Sequence, residues 1–362
     1  MSRVRHKARR RASDETNCAQ RDGEDLFAPL QDFFDVRGAR PQNKIVNPAP
    51  TKTAASRAAS LAAVAIALFC ASSCADRANS QPKPQDQPLE FVSEWGIKGD
   101  GPGQLDGPVA LATDVLGDVY FADRAAGYLH KFEPDGTPLL SLEDARFRRA
   151  AGVAVDRGGA MYIADPQGGH ILIYFPNGDF LRALRMPSQR KFTGALGICV
   201  DDDGNLYVPD PAGGRVEKLD SRGRVARLWA VRTVRQAKED PPTAVAVGPD
   251  GSVFVAYSQS GKIEKFLPPG KLAASWSITP NSVSARTDVT SIAIWGQSVI
   301  TASSASPHLR VWTLDGERKL EDDLGSRVGA NGDDLQIAAS SRGDLFVLDP
   351  SGPRVLRFRI HF

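Results

Sequence analysis

Cysteine and methionine are scarce in this 362-residue chain, which contains four and three of them respectively. Beyond residue 88 the single cysteine is Cys199, inside the apolar segment 197–200. We therefore predict a buried, unreactive thiol at Cys199 rather than a disulfide or a nucleophile. Sustained helical periodicity is also missing there, whereas glycine and proline are abundant at 33 and 25 residues. This balance favours many short strands joined by turns.

Common catalytic and metal-binding motifs are missing as well. The four histidines of this body, His130, His170, His308 and His361, form no H-x-x-x-H pair, and no G-x-S-x-G motif, phosphate-binding loop or paired C-x-x-C occurs. Segment 201–205 (DDDGN) resembles a calcium loop only briefly, because its glycine is fourth rather than sixth, and we interpret it as a structural turn. We predict no metal and no cofactor.

Charge is also low, with a net value of +2 for the whole chain. The excess of basic residues lies in the first 73 positions, so the remainder is slightly acidic. An acidic body offers no electrostatic footprint for nucleic acid, and we expect no nucleic-acid partner.

The N-terminal region has the features of an export signal. Residues 58–75 carry no charge, Lys52 and Arg57 precede them, and segment 71–74 (ASSC) resembles a bacterial lipobox ending at Cys74. The resemblance implies cleavage before Cys74 and lipid attachment to it; an uncleaved membrane anchor is the alternative. Residues 1–57 are then a disordered or mis-annotated extension with the n-region, 58–74 the signal, and 75–88 a polar, proline-rich tether.

One unit recurs six times between residues 89 and 362. Each copy has an apolar strand, a turn, and a second strand that ends at a marker position, which is aspartate in four copies. The markers are Asp123, Asp165, Asp210, Tyr257, Ser303 and Asp349. A glycine follows each of the first five markers after 13 residues: Gly136, Gly178, Gly223, Gly270 and Gly316. A repeat of this length with short strands is typical of a propeller blade.

The repeat resembles the NHL repeat, most closely over residues 95–105 (WGIKGDGPGQL) and at Pro108. The asparagine that this family usually has three residues after the marker is absent from every copy. The resemblance implies an all-β, six-bladed β-propeller over residues 89–362. Because the sixth copy ends without a fourth strand, we predict that the N-terminal strand at 90–95 completes it and closes the ring.

Basic residues recur five positions after the markers. The set reads Tyr128, His170, Arg215, Lys262, His308 and Arg354. Asp165–His170, Asp210–Arg215 and Asp349–Arg354 fit structural pairs across a hairpin. In copies four and five the marker is not acidic, so we predict that Lys262 and His308, with Tyr257 offering a ring face and a hydroxyl, bind an anionic ligand.

The functional prediction is a monomeric, non-catalytic propeller of the cell envelope that recognises a protein, peptide or glycan. It is lipid-anchored on the periplasmic, outer-membrane or extracellular side. The alternative is an envelope hydrolase or lyase of the six-bladed, lactonase-like class, working in the central channel.

Replacing the proposed acylation residue tests the location. A Cys74→Ala variant is expected to leave the membrane fraction, since the anchoring lipid is lost. Fractionation at high salt, which weakens electrostatic contacts with the membrane surface, followed by immunoblotting measures this. Membrane retention of an unprocessed, full-length Cys74→Ala product contradicts lipid anchoring and supports the uncleaved anchor.

Overall fold

The structure is a computed structural model that describes residues 88–186, 197–229, 235, 239–268, 270–278, 289–304, 308–330 and 334–362. The predicted signal, Cys74 and nearly all of the tether lie outside the described residues. Among the described residues, no helix has both the length and the hydrophobicity that a membrane span requires.

The described residues form six antiparallel sheets of four strands each. The innermost strand of each sheet contacts the innermost strand of the next sheet, and that of the last sheet contacts that of the first, so the six form a closed cycle. This confirms the six-bladed β-propeller. The apolar residues of the repeat fill the spaces between neighbouring sheets, where they form the core.

The strands follow the repeat, one blade after another. Blade one has β2 (Pro108–Thr113), β3 (Val119–Asp123), β4 (Tyr128–Phe132) and β5 (Pro138–Glu143). Blade two has β6 (Gly152–Val155), β7 (Met161–Asp165), β8 (His170–Tyr174) and β9 (Phe180–Arg185). Blade three has β10 (Cys199–Val200), β11 (Leu206–Asp210), β12 (Arg215–Leu219) and β13 (Val225–Trp229).

Blade four has β14 (Pro242–Val247), β15 (Val253–Tyr257), β16 (Lys262–Phe266) and β17 (Leu272–Ser277). Blade five has β18 (Val289–Trp295), β19 (Ser298–Ser303), β20 (Leu309–Thr313) and β21 (Arg318–Asp322). Blade six has β22 (Gln336–Ala339), β23 (Asp344–Asp349), β24 (Arg354–Ile360) and, as its outer strand, β1 (Leu89–Trp95). Two short helices whose bounds fall within the described residues join blades, a 3₁₀ helix at Ala145–Arg149 and α1 at Leu324–Val328.

Strand β1 closes the ring, as predicted. It pairs antiparallel with β24, from Leu89 opposite Ile360 to Trp95 opposite Val355. The backbone N–H of His361 donates to the carbonyl of Pro88 at 2.9 Å, and Leu89 is buried in the core between blades five and six. Both ends of the propeller are therefore held in one sheet.

The glycines found 13 residues after the markers serve the contact between neighbouring blades. All five have positive φ angles in the turn between the third and fourth strands. A Cβ built on Gly136 would lie 2.5 Å from Cγ of Trp95 in β1, and one on Gly316 would lie 2.6 Å from the Trp276 ring in blade four. At Gly136 and Gly316 a side chain is therefore excluded both by the backbone conformation and by the preceding blade.

Alanine substitutions separate these two effects. Gly136→Ala is expected to lower the free energy of unfolding by at least about 1 kcal/mol more than Gly204→Ala, because an overpacked contact adds to the strain. Gly204 is a matched control, because its φ is 76° and a Cβ built on it would have no atom within 4 Å. Urea unfolding measures both, and equal losses contradict the role of Gly136 in packing against Trp95.

Candidate functional site

One end of the ring, here called the marker end, carries the turns between the second and third strands. The pairing of Pro108 with Asp123 and of Pro242 with Tyr257 shows that each inner strand begins where the second strand ends. The connectors between blades therefore arrive at the marker end too. These two sets of loops therefore lie together at one end of the ring, although much of several connectors falls outside the described residues.

The marker carboxylates stabilise the turns that follow them. Asp123 is fully buried and accepts backbone N–H bonds from Asp106, Gly107 and Ala126 at 2.6, 3.0 and 2.9 Å. Asp165 and Asp210 likewise accept the N–H of the residue three positions later, Gly168 and Gly213, at 2.7 and 2.8 Å. The recurring aspartate is thus a turn-capping residue.

Blade four replaces this cap with a residue from the preceding connector. Its marker is Tyr257, and Asp240 accepts the N–H groups of Gln259 and Ser260 at 3.2 and 3.0 Å. The Ser260 hydroxyl also donates to Asp240, at 2.7 Å. Asp240 therefore caps this turn as the marker aspartate does in the other blades, and the turn keeps a carboxylate although its marker is Tyr257.

The predicted pairing of basic residues with markers is confirmed in two blades and wrong in one. Arg354 lies 3.3 Å from Asp349, and Arg215 lies 3.3 Å from Asp210. In blade two the carboxylate of Asp165 is bound by a different arginine. Arg149, at the end of the 3₁₀ helix, donates to it at 2.7 and 3.0 Å, and among the described residues no bond joins it to His170.

The structure corrects the premise that Lys262 lacks a nearby carboxylate. Lys262 Nζ donates to Glu264 Oε1 at 2.6 Å, and the Tyr257 hydroxyl donates to Glu264 Oε2 at 2.8 Å. Tyr257 is fully buried and thus presents neither ring face nor hydroxyl to solvent, whereas the Lys262 side chain is 38% exposed. These three residues are called the Lys262 triad below.

His308 also has a carboxylate partner, which the sequence prediction did not anticipate. Its Nδ1 lies 2.9 Å from Oδ1 of Asp323, the residue that caps the N-terminus of α1. The His308 side chain is only 8% exposed. Its marker Ser303 instead accepts a hydrogen bond from Arg310, at 2.9 Å. No described contact joins Lys262 to His308, so the structure does not bring the two into one site.

A second set of polar residues, seven positions after the markers, was missed from the sequence. It lies in the middle of the third strands and is buried: His130, Glu217, Glu264 and Arg310. Burial raises the pKa of Glu217, although Arg215 donates to it at 2.7 Å, and lowers the pKa of His130 to about 4. Two of these contacts could have been predicted from the sequence. Residues two apart on a strand share a face, and Glu217 and Glu264 each lie two positions after a basic residue.

Other candidates are structural. Cys199 is partly buried, and desolvation raises the pKa of its thiol, consistent with the prediction that it is unreactive. Asp201 accepts hydrogen bonds from the backbone of Asn205, from the Tyr207 hydroxyl and from Lys218, at 2.8, 3.0 and 3.1 Å. Its turn is therefore satisfied internally. Within the described ranges, no three His, Cys, Asp or Glu side chains group closely enough to hold a metal ion.

A cavity of about 310 Å³ lies away from these residues. It is lined by Pro88, Leu89, Leu320, Asp322 and Arg327, where the closing strand begins. None of the residues predicted from the sequence lines this cavity. In the Lys262 triad only the Lys262 side chain is exposed at the marker end, since Tyr257 and Glu264 are buried.

Comparisons with known proteins show the fold. No protein-family model matches the chain, and no curated protein matches its sequence. A streptogramin B lyase structure superposes with a TM-score of 0.56 at 14% identity, covering 75% of this chain and 97% of that one. Virginiamycin B lyase from Staphylococcus aureus superposes with a TM-score of 0.52 at 13% identity, covering 76% of this chain and 89% of that one. A catalytically inactive variant of that lyase, in a structure with quinupristin, superposes with a TM-score of 0.53 at 11% identity, covering 75% of this chain and 100% of that one.

Proposed function

We propose that the protein is a non-catalytic propeller of the cell envelope that recognises a peptide, glycan or protein partner at its marker end. The observation that carries this proposal is the Lys262 triad. It holds an ammonium group in a fixed position, partly exposed and charge-balanced by a buried carboxylate. Fixed polar groups on a rigid sheet are suited to recognition.

Charge balance defines the chemistry of the ligand. A lysine ammonium has three N–H donors, and one is directed to Glu264. The others are available to a partner, but the net charge of the pair is near zero. The triad is therefore matched to neutral acceptors, such as peptide carbonyls or sugar hydroxyls, rather than to an isolated anion. Anion binding, which requires a Lys262 without a carboxylate partner, is accordingly dropped.

Tyr257 and His308 have different roles in this proposal. Tyr257 orients Glu264 from inside the blade and has no direct contact with the partner. His308 acts as a second polar contact in the neighbouring blade five, held by Asp323. The partner then spans blades four and five instead of entering one pocket between them.

The proposed setting rests on the sequence. The lipobox-like segment ending at Cys74 and the polar tether at 75–88 support a lipid-anchored propeller outside the cytoplasm. The NHL-like repeat supports a role in binding, since the surface loops of such a repeat vary while its sheets persist. We propose a monomer, because β1 satisfies the outer strand of blade six within one chain.

The alternative is an envelope hydrolase or lyase. The observation that favours it is that the structural neighbours include lyases of streptogramin B and virginiamycin B. At 11 to 14% identity their likeness shows the fold alone. The structure of the inactive lyase variant with quinupristin supplies a concrete compound to test as a substrate of this protein.

The full chain, screened on glycan and peptide arrays, is expected to bind a neutral glycan or peptide. For the ligand found, Lys262→Ala/His308→Ala should weaken binding at least about tenfold, or about 1.4 kcal/mol, because two polar contacts are lost. Isothermal titration calorimetry measures the change. Arg215→Ala is the matched control, since Arg215 occupies the same position in blade three and holds Glu217 at 2.7 Å.

Two outcomes contradict the proposal. If Arg215→Ala weakens binding as much as Lys262→Ala/His308→Ala, the basic positions act through the stability of the ring. If neither array yields a ligand and mass spectrometry shows quinupristin converted by the parent protein, the lyase alternative is correct. Melting curves of each variant verify that it is folded.

A further inference from the structure

The outer edge of the propeller is divided into an acidic part and a basic part. This edge consists of the fourth strands and the turns before them. In blades five, six and one, residues 314–322, 89–95 and 133–143 carry nine acidic and two basic residues. In blades two and three, residues 175–186 and 220–229 carry five arginines and two aspartates. Opposite charges therefore occupy separate arcs of one ring.

The arginines of blades two and three are exposed, and three of the five have no acidic partner within the part of the chain that the structure describes. Arg182 donates to the backbone carbonyl of Ser221 in the next blade, which brings the two outer strands together. Among the described residues, no carboxylate pairs with Arg182, Arg185 or Arg222. Arg224 is bound to Asp220 at 2.7 Å and keeps its charge balanced. Within the described ranges of this arc, positive charge therefore exceeds negative charge.

Exposed apolar side chains lie in the same outer strands as these arginines. Phe180 and Leu181 in β9 are 40% and 41% exposed, and Val225 and Leu228 in β13 are 48% and 43% exposed. Both strands are unpaired on their outer side, since each is last in its sheet. Blades two and three together therefore present one surface of arginines and large apolar groups, here called the basic edge.

We propose that the basic edge binds the surface of an anionic phospholipid bilayer. Arginine side chains extend to lipid phosphates while their stems and the neighbouring apolar groups lie against the acyl boundary. A hydrophilic polyanion would explain the arginines but not the exposed phenylalanine, leucines and valine between them. The proposal is independent of the Lys262 triad and of any lipid on Cys74, and the two can be tested separately.

Contact at the basic edge is detected with a fluorescent probe. The probe is the environment-sensitive dye NBD on Leu228→Cys, in the full chain carrying Cys18→Ser, Cys70→Ser and Cys74→Ser. Vesicles containing phosphatidylglycerol should shift its emission to shorter wavelength, and pure phosphatidylcholine vesicles should not. The matched control is the dye on Leu139→Cys in the acidic arc, where Leu139 is 37% exposed, and no shift is expected.

Two sets of variants separate charge from apolar insertion. Arg182→Glu/Arg185→Glu/Arg222→Glu should weaken vesicle binding at least about tenfold, because each arginine contributes separately near an anionic surface. Lys98→Glu/Lys319→Glu/Arg342→Glu makes the same change in net charge elsewhere and should leave it within about twofold. Leu181→Ser/Leu228→Ser should weaken binding to vesicles but not to soluble polyphosphate.

Each result decides the matter. The Leu228 shift, with loss in the arginine variant and in the Leu181→Ser/Leu228→Ser variant, supports membrane binding. No shift at Leu228, or equal shifts at Leu139 and Leu228, overturns it. Equal loss of polyphosphate and vesicle binding in the arginine variant, with no effect of Leu181→Ser/Leu228→Ser, identifies a hydrophilic polyanion instead. If the unmodified protein self-associates in sedimentation velocity and Arg182→Glu/Arg185→Glu/Arg222→Glu abolishes this, membrane binding is overturned, and the basic edge binds a second copy of the chain.

Discussion

The pairing of strand β1 with strand β24 is the contact on which the rest of the propeller depends. Blade six obtains its outer strand only from the N-terminal side of the repeat, so the first and last described strands share one sheet. Trp95 of β1 in turn packs on Phe132, at a ring-centroid distance of 4.8 Å, and meets Gly136 of blade one. The same strand therefore completes blade six and packs against blade one.

A closed ring fixes the positions of the polar groups on its surface. Each sheet packs against two neighbouring sheets. The strands and turns of these sheets carry the marker carboxylates, the Lys262 triad and the His308–Asp323 pair. Carboxylates buried with donors on both oxygens, as in Glu264, orient their partners in the same way. The surface proposed for recognition is thus positioned by the packing between blades.

The six-bladed architecture could be predicted because the same short sequence unit recurs in every blade. Marker spacing, the glycine 13 residues on and the missing last strand each reflect a contact within one blade or with the next. The polar pairs were predicted less well, for two different reasons. Glu264 lies two residues after Lys262 on the same strand face and was overlooked, whereas Asp323 and Arg149 come from connectors, whose placement depends on tertiary packing.

Deleting the closing strand tests ring closure most directly. A variant lacking residues 89–96 is expected to lose the single cooperative unfolding transition, and the amides of β24 should exchange rapidly in hydrogen–deuterium exchange, because that strand becomes an open edge. Removing residues 75–82, a segment of equal length in the predicted tether, should change neither property. If the 89–96 deletion retains the parent's melting curve and its protection in β24, the closure of the ring by β1 is contradicted.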